Sequence, residues 1–303
     1  MRYVAFDLDQ TLADVTLVHL FLLSLTMRTY LEEHKPYMVA YFPTELEEQL
    51  KKAYQLFVNR LAMEERSIRP LGIVRPGMIG IMRQIHKMKS AIKGTVIYSN
   101  NRYLPSLVLV QDIIHRVVGH PIIGSCIHWH HPCRQSDHET QATITKSWGT
   151  LKAILIDQGA PLDLSPDRVL FFDDQDHINL QSALQNNYYK VPIYRTRDTF
   201  DRIASIYMIC MEEAKVNMYS MYLYLAEIME ENTAPIDPSR FVTGDLIRLI
   251  RKGTDHHYPT EHTYDHGVRI MRHAIQDMMI QEQVIRGGKR RTHRNHRHTI
   301  KKQ

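Results

Sequence analysis

The stretch RYVAFDLDQTLAD, Arg2 to Asp14, decides how the rest of the chain is read. Arg2 to Phe6 has the composition of a short buried strand. It ends on two acids one residue apart, Asp7 and Asp9, followed by Thr11. Like charges repel and a desolvated carboxylate is costly, so such a pair calls either for a solvated turn or for a site that uses negative charge.

The pattern repeats downstream. Gly94 to Tyr98 is a β-branched run that ends in Ser99, Asn100 and Asn101, and Arg168 to Phe172 is strand-like and ends on Asp173 and Asp174. Pro121 to Trp129 and Lys190 to Tyr194 read as further strands. Helical spacing covers Thr16 to Glu33, Thr44 to Glu65, Ile79 to Met88, Leu104 to Val118, Ser147 to Gln158 and Asn179 to Gln185. Strands alternating with helices predict an α/β fold, a Rossmann-like doubly wound parallel sheet. From Thr199 onward the pattern is wholly helical, with segments at Thr199 to Met229, Ser239 to Lys252 and Gly267 to Val284. The expected organisation is a core over 1–14 and 70–198, an inserted α-helical unit over 15–69, a C-terminal helical extension over 199–286 and a basic tail over 287–303.

In an open parallel sheet, ligands lie outside the carboxyl ends of the strands. Asp7, Asp9, Ser99, Asn100, Asp173 and Asp174 must then crowd one edge. Carboxylates gathered there need a positive partner, and Mg²⁺ is the hard cation suited to oxygen ligands. A carboxylate held ionised in this way can attack phosphorus, and a second acid two positions on can protonate the leaving oxygen and later deprotonate water. Small hydroxyl and amide groups with a lysine can hold the phosphoryl oxygens.

Asp7-Leu-Asp9-Gln-Thr11, then Tyr98-Ser99-Asn100, then a lysine, then Phe172-Asp173-Asp174 resembles the four ordered motifs of the haloacid dehalogenase superfamily, over roughly the first two hundred residues. The resemblance implies a Rossmann-like core, Mg²⁺ dependence and phosphohydrolase activity. It makes Asp7 the nucleophile and Asp9 the general acid/base, and it gathers the metal ligands from Asp7, Asp9 through its carbonyl, and Asp173, with Asp174 a ligand or a group behind one. Thr11, Ser99, Asn100 and Lys146 are the expected phosphate contacts. Lys146, in Thr-Lys-Ser before a helix, matches the third motif best, and Lys152 is the fallback. The dehalogenases proper lack the second acid. The helical insert occupies the position of the family's C1 cap, which suits small phosphorylated molecules. The Arg-Pro-Gly before the second motif and the Phe-Phe-Asp-Asp of the fourth resemble instead the phosphatases of the RNA polymerase C-terminal domain, so protein, nucleic-acid and metabolite monoesters all stay open as substrates.

Two further segments carry metal-binding residue types. Cys126 to Arg134, CIHWHHPCR, resembles in position the zinc loop of the superfamily's sugar bisphosphate phosphatases but lacks their Cys-x-Cys ending. Zn²⁺ on Cys126, His128, His131 and Cys133 is the alternative there to a strand-to-loop segment without metal, which is the preferred reading. His256, His257, His262 and His266, interleaved with Asp255, Glu261 and Asp265, fit no closed zinc spacing and read as a polar loop.

Composition bounds the rest. The chain has 303 residues, 44% of them hydrophobic, enough for a full core. Three cysteines are too few for a disulfide framework, so a reducing, intracellular setting is expected, cytoplasmic or nuclear. No cleavable signal peptide is visible, and Leu17 to Leu25 is too short to span a membrane. The formal charge is +5, but the tail holds seven basic residues and no acid; 38 minus 7 leaves 31 basic against 33 acidic side chains elsewhere. Residues 287–303 therefore form a candidate contact for nucleic acid or an acidic partner, and they resemble in composition the basic ends of proteins from large DNA viruses. The competing function is a catalytically weak binding or assembly protein that works through this tail.

Overall fold

The computed structural model describes residues 2–134, 146–196, 199–230, 239–254, 266–278 and 280. Five strands, β1 (Arg2–Phe6), β2 (Ile92–Tyr98), β3 (Ser125–Ile127), β4 (Val169–Asp173) and β5 (Tyr188–Lys190), form one sheet in the order β3-β2-β1-β4-β5. Every pairing is parallel, with Phe6 opposite both Ile97 and Phe172. The chain runs outward from β1 through β2 to β3, then returns to β4 on the other side of β1. That reversal puts a switch point between β1 and β4, where Rossmann-like sheets open a crevice.

Alternate residues of each strand face opposite sides, and both sides are covered. Tyr3, Ala5, Val96, Tyr98, Val169 and Phe171 pack with Leu151, Ile154, Leu155, Leu180 and Leu184, which come from α7 (Trp148–Asp157) and α8 (Ile178–Leu184). Val4, Phe6, Ile97, Leu170 and Phe172 face a much larger cluster. It contains α5 (Met78–Lys87), α6 (Leu104–Val118), the helices inserted between β1 and β2, and those that follow β5. The inserted helices are α1 (His19–Leu25), α2 (Met27–His34), α3 (Pro36–Val39) and α4 (Thr44–Glu65). The C-terminal ones are α9 (Phe200–Ala214), α10 (Met218–Ile228), α11 (Thr243–Thr254) and a helical segment over 266–278. Helix α4 lies along both α6 and α9. Phe57 meets the Tyr207 ring edge-on, and Phe21 packs against Phe200 and Tyr207.

Several elements are shorter than, or displaced from, their sequence patterns, each for a physical reason in the chain. The helix expected over Thr16 to Glu33 breaks at Thr26, whose hydroxyl bonds the Leu22 carbonyl and the Tyr103 hydroxyl. The strand expected from Pro121 starts only at Ser125, because His115 Nε2 accepts the Ile123 amide at 3.0 Å and Gln111 donates to its carbonyl at 2.9 Å. The last strand lies at Tyr188–Lys190 rather than Lys190 to Tyr194; Pro192 has no amide to give a ladder. The helix expected over Thr199 to Met229 is two helices, divided where Lys215 adopts φ +57° and Asn217 caps α10 through the Ser220 amide at 3.0 Å. Cys126, Cys133 and Cys210 are free thiols. None of the described helices is long and apolar enough to cross a membrane. The tail 287–303 and the cluster over residues 255–265 lie outside the described residues.

Candidate functional site

Because β1, β2 and β4 are parallel neighbours, the residues just past their ends share one edge. Asp7 is anchored there by its amide, which donates to the Phe172 carbonyl at 2.8 Å. The tight turn after it folds Leu12 and Ala13 back on the Leu8 carbonyl at 3.0 Å, with Gln10 at φ +62°.

Lys146 joins the two central strands. Its ammonium donates to Asp7 Oδ1 at 2.5 Å and to Asp173 Oδ2 at 2.6 Å, and all three side chains are buried, the lysine with 1% of its side chain exposed. Lys152 lies a turn further on in α7 and takes no part. A buried ion triad holds only when its charges are well paired, and removing one partner costs about 3–5 kcal/mol. Asp173 is further fixed by the Gln175 amide at 2.9 Å, and His177 Nε2 lies 3.3 Å from its other oxygen. The Lys146 amide donates to the other ring nitrogen of His177 at 3.5 Å.

Asp174 accepts the Thr11 hydroxyl at 3.0 Å. Thr11 is completely buried, so its hydroxyl serves the acid rather than an open phosphate subsite. The Asp9 carboxylate turns toward β2 and is held by Asn101 Nδ2 at 3.1 and 3.3 Å and by Ser99 Oγ at 3.4 Å. The Ser99 hydroxyl also accepts the Asn101 amide at 3.1 Å. Asn100 Oδ1 accepts from Arg134 at 2.8 Å, and the same guanidinium donates to the Ser99 carbonyl at 2.7 Å. Arg134 is fully buried between the Tyr98 and Trp129 rings, 5.0 and 5.1 Å from their centres. It pins the loop that carries Ser99 and Asn100 from beneath.

The electrostatics follow from this geometry. Burial, then the charges of Asp173 and Asp9, push the Asp7 carboxyl well above its ordinary range against the pull of Lys146. Burial also raises Asp173, but Lys146 and His177 outweigh it and hold that carboxyl low. Lys146 loses to burial and gains more from the two acids, so its ammonium is held on. Asp9 is raised to about 6, chiefly by burial and against the Asn101 bond. Asp174 is raised by burial and by Asp173.

Asp7, Asp173 and Asp174 each present a carboxylate oxygen within 4.8 Å of the others, the only such group of three or more among the described residues. Four ionised carboxylates, counting Asp9, would leave three negative charges uncompensated by the one ammonium, and burial with this mutual repulsion raises Asp7, Asp9 and Asp174. An all-oxygen donor set with that excess suits a hard divalent cation. Cys126, His128, His131 and Cys133 form no such group. The Cys126 thiol is pushed up to about 12 by burial, and Cys133 Sγ faces Asp157 at 3.9 Å.

Asn101, Arg134 and His177 were not singled out by the sequence. Asn101 adjoins Asn100 and is separable from it only by which side chain turns to Asp9. Arg134 ends the segment read as a candidate zinc loop and is the residue of that segment that bonds Ser99 and Asn100. His177 falls one turn after Asp173, close enough to mark it once the first turn of α8 is known. Compared with family models, with curated proteins and with solved structures, the chain gives no match.

Proposed function

We propose that this chain is a divalent-cation-dependent phosphohydrolase. More particularly, it works as a phosphatase of the haloacid dehalogenase kind, through an aspartyl-phosphate on Asp7. The observation that carries the reading is the buried triad in which one lysine joins the Asp7 and Asp173 carboxylates, with a second acid, Asp9, two residues from the first.

Asp7, Asp173 and Asp174 would hold Mg²⁺, which when bound would keep the carboxylates ionised and draw negative charge from the phosphoryl oxygens. The Asp7 carboxylate attacks phosphorus, a P–O bond forms, and the bond to the leaving oxygen breaks. Asp9, raised to about 6 and steadied by Asn101, gives that oxygen its proton. Water then attacks the same phosphorus, Asp9 takes its proton, and inorganic phosphate leaves Asp7 free. Lys146 offsets charge throughout, and Ser99, buried beside Asp9, orients that acid through its hydroxyl.

The helices between β1 and β2 are inserted at the sequence position of a cap but pack into the cluster shared with one face of the sheet and the C-terminal helices, so protein, nucleic-acid and small monoesters all stay open. The charged tail keeps nucleic acid and acidic proteins in view as partners. The test is hydrolysis of p-nitrophenyl phosphate with Mg²⁺. Asp7→Asn should lose about a thousandfold or more in kcat; a variant that keeps its rate rejects the mechanism.

A further inference from the structure

The turn that leads into α5 meets the C-terminal helical segment 266–278 through two glycines. A Cβ on Gly267 would stand 2.3 Å from the Arg75 guanidinium, and one on Gly77 would stand 2.8 Å from Val268. Real Cβ atoms do not come so near, so each glycine lets a side chain of the other segment, Arg75 on Gly267 and Val268 on Gly77, lie directly against its backbone.

Arg75 is 1% exposed and has fixed partners. Nη1 donates to the Thr11 carbonyl at 3.1 Å and Nη2 to the Pro192 carbonyl at 2.8 Å, with the guanidinium 5.6 Å from the centre of the Tyr194 ring. Its own amide donates to the Leu12 carbonyl at 3.0 Å. The same Thr11 donates its hydroxyl to Asp174. A chain of contacts thus runs from Gly267 through Arg75 and Thr11 to one of the three clustered acids.

We propose that Arg75 is a positioning residue: backed by Gly267, its guanidinium fixes the Thr11 backbone and through it the aim of Asp174, so that the C-terminal helical segment is part of the active site's scaffold. The catalytic half of this inference rests on the phosphohydrolase reading; the contact does not. A methyl at position 267 must displace the guanidinium or the helix. Arg75→Lys removes the fork that serves two carbonyls at once.

A double-mutant cycle on the full chain tests it, with Gly267→Ala, Arg75→Lys and the pair. Gly80→Ala serves as control, because its Cβ would meet nothing within 4 Å. Melting temperature, kcat, KM for p-nitrophenyl phosphate and the half-saturating Mg²⁺ concentration are read for each. Gly267→Ala should lower kcat about tenfold and raise the Mg²⁺ requirement several-fold, with KM nearly unchanged. In the Arg75→Lys background it should add less than about twofold, because both act through one group. Gly80→Ala should change none of the kinetic constants. Additive losses, or a lowered melting temperature with wild-type kcat, overturn the inference. A wild type with no hydrolysis of any phosphate ester defeats the phosphohydrolase reading and the catalytic half with it. Absence of coupling between the two positions in melting temperature defeats the contact, whatever the activity.

Discussion

Lys146 is where charge, burial and proposed chemistry meet. Its removal leaves Asp7 and Asp173 facing each other without a counter-charge, so Lys146→Met should destabilise the metal-free protein by about 3–5 kcal/mol. Added Mg²⁺ should then raise the melting temperature of the variant more than that of wild type, since a cation bound only by the folded state stabilises it; an equal rise in both would mean that the acids do not share the ion. Asp9 gives a second expectation. A general acid matters most when the leaving group is a poor one, so Asp9→Asn should lose far more activity on an alkyl phosphate than on p-nitrophenyl phosphate, by a further factor of about ten or more. Equal losses on both would assign Asp9 another role. Asp7, Asp9 and Asp173 could be placed on one edge because each follows or ends a strand, whereas Lys146, which follows none, was marked only by the superfamily resemblance. The roles of Thr11 and Asn101 were not legible, because a turn decides whether a short polar side chain faces the ligand or its neighbour.

At the scale of elements, the end of α4 carries an acid in an unusual setting. Glu65 accepts the Ile73 amide at 2.7 Å, and burial raises its carboxyl from 4.5 to about 7 despite that bond. Between those values the folded state keeps a proton that the unfolded state releases. Stability from this group is therefore full below about 4.5 and lost as pH rises through 7. Glu65→Gln should flatten that slope and melt higher than wild type at pH 8; thermal melts across pH 5 to 8 that keep the wild-type slope would contradict it. The helix α4 itself was readable to the residue from Leu46, Leu50, Tyr54, Phe57 and Leu61, all of them buried except the half-buried Tyr54. The break at Thr26 was not, since it depends on the Tyr103 hydroxyl, distant in sequence. Nor was the left-handed Lys215, where nothing in residue type marks the turn.

Over the whole molecule, the inserted helices, one face of the sheet and the C-terminal helices share one hydrophobic cluster. The alternation of strands and helices made the parallel sheet legible, but not this sharing, because amphipathic spacing says that a helix buries a face without saying against what. The continuity has a consequence for stability: Phe57→Ala, which empties a site between α4 and α9, should cost about 3–5 kcal/mol and lower a single melting transition common to the sheet and the helices. Two separate transitions would show the insert to be an independent unit. The sheet in turn brings the ends of β1 and β4 together, and the proposed chemistry depends on that junction. The most direct measurement is mass spectrometry of the protein quenched in acid during turnover of a phosphate ester with Mg²⁺, using Asp9→Asn to slow release of the phosphoryl group. The expected result is one phosphoryl group on the peptide that contains Asp7, absent in Asp7→Asn; a phosphoryl group on any other residue, or steady hydrolysis by Asp7→Asn, would contradict it.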